Sequence, residues 1–316
     1  MRVAIDARKI RDFGIGTYIR GLIGGLLEIG EDEIVALAPA SDKLPDGVEH
    51  IISDAPKYSI RELLTVGRGL RADVFHAPHY VVPLTKLPTV VTIHDLIHLR
   101  LRNPIKRAYA RTMMRRAVRH TVVTVSNAVK RDIEETLGAK NVLVTPNGVD
   151  AHFTPEGPRR EGRYVLYVGN RRPYKNAGAA IEAAKRAGID LVCAGEGFEY
   201  FDDLAPLYRG ALALVMPSLA EGFGLPAAEA MASGIPVVMT SIPSYLSFDD
   251  THDYALFAPQ ENAVELGEKL IELLSDADLR QRLREREREV AEQWRADRVA
   301  ERIEKAVHAE TRRSGG

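Results

Sequence analysis

Short β-branched runs alternate with helical patterns along most of this chain, and this alternation constrains the fold more than any other feature. Parallel strands need long crossover connections, usually helices, so a repeated strand and helix predicts a parallel sheet with helices on its faces. The first series has strands expected at RVAID (2–6), EIVAL (33–37), DVFHA (73–77), TVVTI (89–93), TVVTV (121–125) and NVLVT (141–145), and helices expected near 16–29, 59–70, 104–118 and 127–137.

A stretch rich in proline, glycine and arginine, AHFTPEGPRREGR (151–163), interrupts this pattern and is typical of a linker. After it the alternation starts again. The second series has strands expected at RYVLYVG (163–169), DLVCAG (190–195), ALALVM (211–216) and IPVVM (235–239), and helices expected near 177–187 and 226–233.

We therefore predict an α/β protein with two facing, doubly wound Rossmann-like domains. The N-terminal domain is predicted to span residues 1–155 and the C-terminal domain residues 156–290. From about residue 262 the pattern is helical nearly throughout. A long C-terminal helix, 291–316, is expected to pack back towards the N-terminal domain.

Composition excludes disorder and a disulfide framework. The 316 residues are 45% hydrophobic and 28% charged, with a net charge of −1, and Cys193 is the single cysteine. The sequence does not open with a signal-peptide pattern, and no apolar run approaches the ~18 residues of a membrane-spanning helix. A cytoplasmic location is expected.

The stretch EGFGLPAAE places Glu221 and Glu229 eight positions apart around a glycine-containing turn. Ligands of open α/β sheets bind beyond the carboxyl ends of strands, and this turn follows the strand expected at 211–216. A helix starting at Pro226 would direct backbone N–H groups at a phosphate or diphosphate, while the two carboxylates could accept hydrogen bonds from sugar and ribose hydroxyls. The alternative is a plain helix start, with Glu221 exposed and Glu229 complementing the helix dipole.

Further stretches carry a resemblance to a known family. Together with EGFGLPAAEAMASGIPVV, they resemble the retaining nucleotide-sugar glycosyltransferases of family 4, whose GT-B fold has two Rossmann-like domains. The resemblance runs from residue 1 to about 300 and is greatest to the branch rich in mannosyltransferases and polysaccharide-assembly enzymes. The stretches are IDARKIRDFGIGTYIR, DVFHAPHYVVP, VVTIHDLIHL, VSNAVKRDI, VTPNGVD and YVGNRRPYKN.

The resemblance implies transfer of a hexose from a nucleotide diphosphate sugar to a glycan, lipid-linked or polysaccharide acceptor. GDP-mannose is the first candidate donor and a UDP-hexose the second. No metal is expected, because the family needs none. Retention in this family is generally attributed to reaction on one face of the sugar, in which the departing phosphate oxygen takes the proton of the acceptor. A nucleotide-sugar epimerase of GT-B fold and a non-catalytic sugar-nucleotide binding protein stay open as alternatives.

The resemblance also implies roles for individual residues. Glu221 would meet hydroxyls of the donor hexose, and Glu229 would meet those of the ribose. Lys175 would neutralise the diphosphate, and His94 would hydrogen-bond the donor sugar. Further donor contacts are implied for Gly222, Phe223, Gly224 and Leu225 in the turn and for Gly14 and Gly16 in the first loop.

The sequence departs from the family pattern in three places. Members usually have an arginine, the partner of the lysine, directly after the VG glycine, where this chain has Asn170 followed by Arg171 and Arg172. Asn170 is expected to contact the donor, and either arginine could take that catalytic or donor-binding role. Only FEYFDD separates Gly197 from Leu204, so a strand is expected to be missing and the C-terminal domain to be shortened. SIPSYLSFDD lacks the glutamate that often follows its PS pair.

A basic helix is expected at 103–120. Its arginines lie at steps of four, with apolar residues beside them, a pattern that also occurs in helices that contact an anionic membrane surface, here peripherally at the inner membrane face. The alternative is a solvated helix whose apolar side packs on the sheet. Nothing else in the sequence supports nucleic-acid binding. The arginines are Arg107, Arg111, Arg115 and Arg119, and the apolar residues are Ile105, Tyr109, Met113 and Ala117.

Overall fold

The computed structural model describes residues 1–12 and 14–314. Phe13, in the predicted first loop, and Gly315 and Gly316, at the end of the predicted helix 291–316, lie outside the described residues. The chain divides into two compact units, Met1–Gly148 with Ala296–Gly316 (unit 1) and Val149–Arg295 (unit 2). The boundaries expected from the sequence lie after residues 155 and 290.

Within its described residues, unit 1 contains a seven-stranded parallel sheet with the order β3-β2-β1-β4-β5-β6-β7. The chain winds outwards from β1 in one direction and then from β4 in the other, which is the doubly wound arrangement predicted from the sequence. The strands are β1 (Arg2–Asp6), β2 (Glu33–Ala38), β3 (Val48–Ile52), β4 (Val74–Ala77), β5 (Thr89–Ile93), β6 (Thr121–Thr124) and β7 (Val142–Val144).

Helices of unit 1 begin and end at capping residues. Asn103 accepts hydrogen bonds from the backbone N–H groups of Ile105 and Lys106, and Ser126 accepts one from Val129. Such side-chain acceptors satisfy N–H groups that have no partner inside the helix. The helices are α1 (Ile15–Ile29), α2 (Ile60–Thr65), α3 (Pro104–Ala117), α4 (Asn127–Leu137) and, from the end of the chain, α11 (Ala296–Ser314).

Two elements of unit 1 differ from the sequence-based expectation. Strand β3 was not expected, because Glu49 and His50 are exposed at the edge of the sheet and break its apolar pattern. Helix α2 ends at Thr65 rather than near residue 70, since Val66 is extended and Gly67 has a φ of 85°.

Side chains on opposite faces of the unit 1 sheet form two cores. Val3 and Ile5 of β1 pack with α1 and α11, whereas Ala4 of the same strand packs with α3 and α4. Successive residues of a strand point to opposite faces, so one strand serves both layers of helices. His308 of α11 also lies 3.1 Å from the carboxylate of Asp32 and joins this helix to the start of β2. Helix α11 is therefore part of the unit 1 core.

Unit 2 is a smaller version of the same architecture. Its described residues form a five-stranded parallel sheet with the order β12-β11-β10-β8-β9. The strands are β8 (Tyr164–Val168), β9 (Asp190–Ala194), β10 (Leu214–Met216), β11 (Val237–Thr240) and β12 (Leu256–Ala258), and the helices are α5 (Ala177–Arg186), α6 (Ala205–Gly210), α7 (Leu225–Ala232), α8 (Pro243–Leu246), α9 (Ala263–Ser275) and α10 (Ala277–Ala291).

The chain passes from β9 to β10 through a short connection. It contains the six-residue helix α6 and an isolated bridge between Ala194 and Glu199. Strand β9 consequently forms one edge of the sheet. No helix among residues 1–12 and 14–314 combines the length and apolarity that a membrane span requires.

Candidate functional site

The turn between β10 and α7 forms the centre of the candidate site. Gly224 precedes the helix with a φ of 108°, and no side chain caps the N-terminus of α7. A Cβ at Gly224 would lie 2.4 Å from Cε1 of Tyr245, so only glycine fits beside this ring. Leu225 is the first residue of α7. The uncapped helix start suits an anionic ligand.

Phe223 has a structural role that its place in the turn did not reveal. Its ring is 4% exposed and packs against Phe248 and Trp294, with ring centroids 5.0 and 5.3 Å away. The side chain therefore anchors the turn in the core of unit 2. The donor contact predicted for Phe223 concerns its backbone and stays a prediction, as does that of Gly222.

Lys175 and Glu221 form an ion pair at this turn. Nζ of Lys175 lies 2.6 Å from Oε1 of Glu221, and the side chains are 12% and 9% exposed. The loop before α5 brings the lysine there, since the backbone N–H of Leu219 donates to Tyr174. Two residues 46 positions apart in the sequence thus meet beside the N-terminus of α7.

The same oxygen of Glu221 has two further partners. Ser218 donates to Oε1 at 2.8 Å, and Tyr245 donates to it at 3.5 Å. Oε2 has no hydrogen-bond partner among the residues that the structure describes. Three donors thus fix one oxygen of the carboxylate and leave the other for a hydroxyl group. Ser218 and Tyr245 were not identified from the sequence, although Tyr245 directly follows the PS pair that lacks the family's glutamate.

Glu229 lies on α7 and is 6% exposed. Burial raises the pKa of this carboxyl to about 7, although a hydrogen bond donated by Tyr208 at 2.8 Å acts in the opposite direction. Desolvation disfavours the charged form of an acid, which explains the direction. The alternative interpretation expected Glu221 to be exposed, whereas the structure shows its side chain 9% exposed and paired with Lys175.

Asn170, Arg171 and Arg172 follow β8. Asn170 is buried, and its side chain accepts a hydrogen bond from the backbone N–H of Arg172. Nε of Arg171 donates to the carbonyl of Gly197 at 2.6 Å, and the guanidinium lies 4.5 Å from the ring centroid of Phe198. Both arginines line an open groove beside the start of α5. The role of one of these arginines as the partner of Lys175 stays a prediction.

His94 directly follows β5 in unit 1. Its Nε2 is 3.1 Å from the carbonyl of Pro78, and its ring packs edge-on against Tyr18 at 4.7 Å. Burial lowers the pKa of this imidazole to about 4, and nearby Lys9 acts in the same direction. His94 is therefore neutral at physiological pH, and a neutral imidazole has one donor and one acceptor nitrogen for hydrogen bonds.

The two glycines of the first loop differ in their surroundings. Gly14 is exposed, has a φ of 80°, and would leave open space around an added Cβ. Gly16 lies against the backbone of Ile10, whose carbonyl oxygen would be 2.3 Å from such a Cβ. Close packing thus explains Gly16 without a ligand, whereas Gly14 keeps the accessible backbone that a diphosphate contact requires.

Taken by itself, the unit 2 edge presents a lysine, a carboxylate with one uncommitted oxygen, a helix N-terminus and a buried acid. These groups can bind an anion flanked by hydroxyls. Together with two parallel-sheet Rossmann-like units, they are typical of the class of GT-B glycosyltransferases.

Known proteins agree with this class. The chain matches the family described as Glycosyltransferase Family 4 over residues 14–153 and the family described as Glycosyl transferases group 1 over residues 196–290. It therefore belongs to the GT-B glycosyltransferases of these two domain families, and the family and fold predicted from the sequence are confirmed.

Similar proteins show how close the relationship is. The chain is 27% identical to a glycosyltransferase of Methanocaldococcus jannaschii over 284 residues, which covers 78% of this chain and 77% of that protein. It is 29% identical to the O-antigen chain mannosyltransferase RfbU of Salmonella typhimurium over 198 residues, covering 53% and 56%. The solved sucrose-phosphate synthase from Thermosynechococcus elongatus has a TM-score of 0.81 at 16% identity, with 98% of each chain covered, and shows the fold.

Proposed function

We propose that this protein is a retaining hexosyltransferase that moves mannose, or another hexose, from a nucleotide diphosphate sugar to a glycan, lipid-linked or polysaccharide acceptor. The observation that carries the proposal is the Lys175–Glu221 pair beside the uncapped N-terminus of α7. The similarity to an O-antigen chain mannosyltransferase supports mannose as the sugar and a polysaccharide precursor as the acceptor.

Donor binding would exchange the partners of the ion pair. The diphosphate brings negative charge to the N-terminus of α7, where Nζ of Lys175 can turn from Glu221 to a phosphate oxygen. Oε1 of Glu221 keeps its hydrogen bond from Ser218, while Oε2 accepts from a hexose hydroxyl. Donor binding thus replaces the charge-assisted contact between Lys175 and Glu221 with two others, one from Lys175 to a phosphate oxygen and one from a hexose hydroxyl to Glu221.

Glu229 would hold the ribose. Ribose hydroxyls donate hydrogen bonds, so they favour the ionised carboxylate, whereas burial favours the protonated one in the donor-free protein. Binding therefore shifts Glu229 towards ionisation. Tyr208 keeps its hydrogen bond to Oε2 of Glu229.

Transfer breaks the bond between the anomeric carbon and the diphosphate oxygen and forms a bond between that carbon and an acceptor oxygen. The acceptor proton passes to the departing phosphate oxygen on the same face of the sugar. Lys175 and one of the two arginines, Arg171 or Arg172, stabilise the negative charge that grows on the diphosphate. The donor requires no metal in this scheme. A hexose trapped covalently on the protein would contradict it, because a double displacement needs a protein nucleophile.

A donor screen followed by an acceptor assay tests the function. GDP-, UDP-, dTDP- and ADP-sugars are compared by the thermal shift they produce, and the best donor is then incubated with and without candidate acceptors. The proposal predicts release of nucleoside diphosphate that depends on the acceptor. Interconversion of the free sugar nucleotide would indicate an epimerase, and a thermal shift without turnover on any acceptor would indicate a binding protein.

A further inference from the structure

We propose that unit 1 carries a composite surface that binds anionic lipid bilayers, formed by α2, the residues around Leu84 and the outward face of α3. This docking surface consists of an apolar part and a cationic part. The inference does not depend on the donor chemistry of unit 2. The apolar part is Tyr58, Ile60, Leu64, Leu84 and Ile105, and the cationic part is Arg107, Arg111, Arg115 and Arg119.

Helix α3 alone cannot supply the apolar part. Ala117 is fully buried, and Tyr109 and Met113 pack against the core of unit 1. Of the apolar residues expected on a lipid-facing side, only Ile105 is largely exposed, at 79%. An interfacial helix needs an apolar face free for the bilayer. The amphipathic helix suggested by the sequence therefore has most of its apolar side in the core.

The missing apolar surface comes from segments next to α3. Ile60 and Leu64 lie one turn apart on α2 and are 75% and 54% exposed, and Leu84 is 56% exposed. One hydrogen bond, from the backbone N–H of Leu84 to Leu63, joins Leu84 to α2.

Two contacts join these segments to α3. Nη2 of Arg116 donates to the carbonyl of Pro83 at 3.1 Å, and the rings of Tyr58 and Tyr109 lie 6.5 Å apart. Ile105 lies one turn before Tyr109, on the side of α3 that faces α2. Exposed apolar side chains of three segments thus form a neighbouring set, and contiguous sets of this kind mark interaction sites.

The charge of the docking surface indicates which kind of partner it binds. Arg111 and Arg115 are exposed on the outward face of α3, and Arg119 is exposed in the turn after the helix. The sequence has no acidic residue between Asp95 and Asp132 that could neutralise them locally. Unneutralised arginines beside exposed apolar side chains complement an anionic headgroup layer above an acyl core. A nucleic acid would use the arginines and leave Ile60 and Leu64 without a role, so the apolar part favours the bilayer.

Vesicle flotation with the full chain tests the proposal. Neutral phosphatidylcholine vesicles are compared with vesicles that contain phosphatidylglycerol, at low and high salt. We expect binding to the anionic vesicles that weakens with salt. The double variant Arg111→Gln with Arg115→Gln should partition about 30-fold more weakly, from ~1 kcal/mol per basic residue. The variant Ile60→Ser with Leu64→Ser should bind both kinds of vesicle several-fold more weakly.

Matched variants and a folding readout control the experiment. Arg131→Gln changes an exposed arginine of α4, and Ile52→Ser changes an exposed isoleucine of β3, 62% exposed, so neither should alter binding. Thermal unfolding of every variant checks that the fold is intact.

Four results would overturn the proposal. The first two are equal binding to neutral and anionic vesicles and vesicle binding that is unchanged in either double variant. The third is an affinity for single-stranded RNA that equals the affinity for vesicles and is unchanged in Ile60→Ser with Leu64→Ser. The fourth is a dimer of the wild type that this same variant dissociates. The last two would assign the surface to a nucleic acid or to a second copy of the chain.

Discussion

At the carboxyl edges of their sheets, the Lys175–Glu221 pair of unit 2 and the histidines of unit 1 differ in charge. In unit 2, Lys175 and Glu221 form an ion pair. In unit 1, burial lowers the pKa of His76 to about 3 and that of His94 to about 4, so these imidazoles are neutral. A charged pair can exchange its partners for a diphosphate and its sugar, whereas a neutral imidazole can only contribute a hydrogen bond. Unit 2 should therefore dominate donor binding and turnover, and unit 1 should adjust them.

The largest effect is expected from the cation of unit 2. Lys175→Met removes the charge that we propose lies next to the leaving diphosphate, and losing one preorganised electrostatic contact typically costs about 10²–10³ in turnover. Steady-state release of nucleoside diphosphate measures the change. Lys185→Met is the matched control, because Lys185 is exposed on α5. Similar turnover of Lys175→Met and the control would remove Lys175 from the mechanism.

The next largest difference is expected between Gly224 and Gly14, in how much an alanine at each position lowers the free energy of unfolding. Gly224→Ala forces a Cβ to 2.4 Å from the buried ring of Tyr245 at a φ of 108°, whereas Gly14→Ala meets open space at a φ of 80°. We expect Gly224→Ala to lower the free energy of unfolding by about 3 kcal/mol and Gly14→Ala by about 1 kcal/mol. Denaturant unfolding of both variants measures the difference. Equal losses would mean that the turn before α7 adapts to a side chain.

Glu229 should make donor affinity depend on pH. With a pKa of about 7, the carboxyl is mostly protonated at pH 6 and mostly ionised at pH 8, so donor affinity should rise about tenfold over this range. Glu229→Gln should abolish the rise, which calorimetric titration can show.

The same shift affects the stability of the donor-free protein. Because the folded pKa lies above the ordinary value of 4.5, folding favours the protonated carboxyl, and its contribution to stability falls as pH rises from about 4.5 through 7. The unfolding temperature of the wild type should therefore fall, relative to that of Glu229→Gln, as the pH rises across that window. If the unfolding temperatures of the two proteins changed with pH in parallel, the raised pKa of Glu229 would be contradicted.

The smallest effect is expected from unit 1. His94→Gln keeps a hydrogen-bonding group and removes only the imidazole geometry, so turnover should fall by no more than about tenfold, the worth of about one hydrogen bond. Because His94 is already neutral, the pH profile of turnover between 6 and 8 should keep its shape. An acidic limb near pH 6.5 that disappears in the variant would show that His94 titrates during catalysis.

Sequence reasoning found the elements whose signal is local. Apolar β-branched runs located β1, β5 and β8, because these strands are buried on both faces. The exposed edge strand β3 and the three-residue β12 carry no such signal. The buried side of α3 also depends on packing, since Tyr109 and Met113 turn to the core only when the sheet is present.

The candidate site was predictable in its residues but not in its contacts. The motif spacing singled out Glu221 and Glu229, and the family resemblance implied Lys175. The pairing of Lys175 with Glu221 joins residues from different loops, which no local pattern records. Tyr245 was missed because its hydroxyl reaches Glu221 only through the packing of α8 against the turn.

Calorimetric titration of the preferred sugar nucleotide into three proteins tests most directly whether the unit 2 edge is the donor site. The proteins are the wild type, Glu221→Gln and the control Glu182→Gln, which neutralises an exposed glutamate of α5. The account predicts that the control binds as the wild type does, while Glu221→Gln binds at least tenfold more weakly. Unchanged affinity of Glu221→Gln for the donor would contradict it.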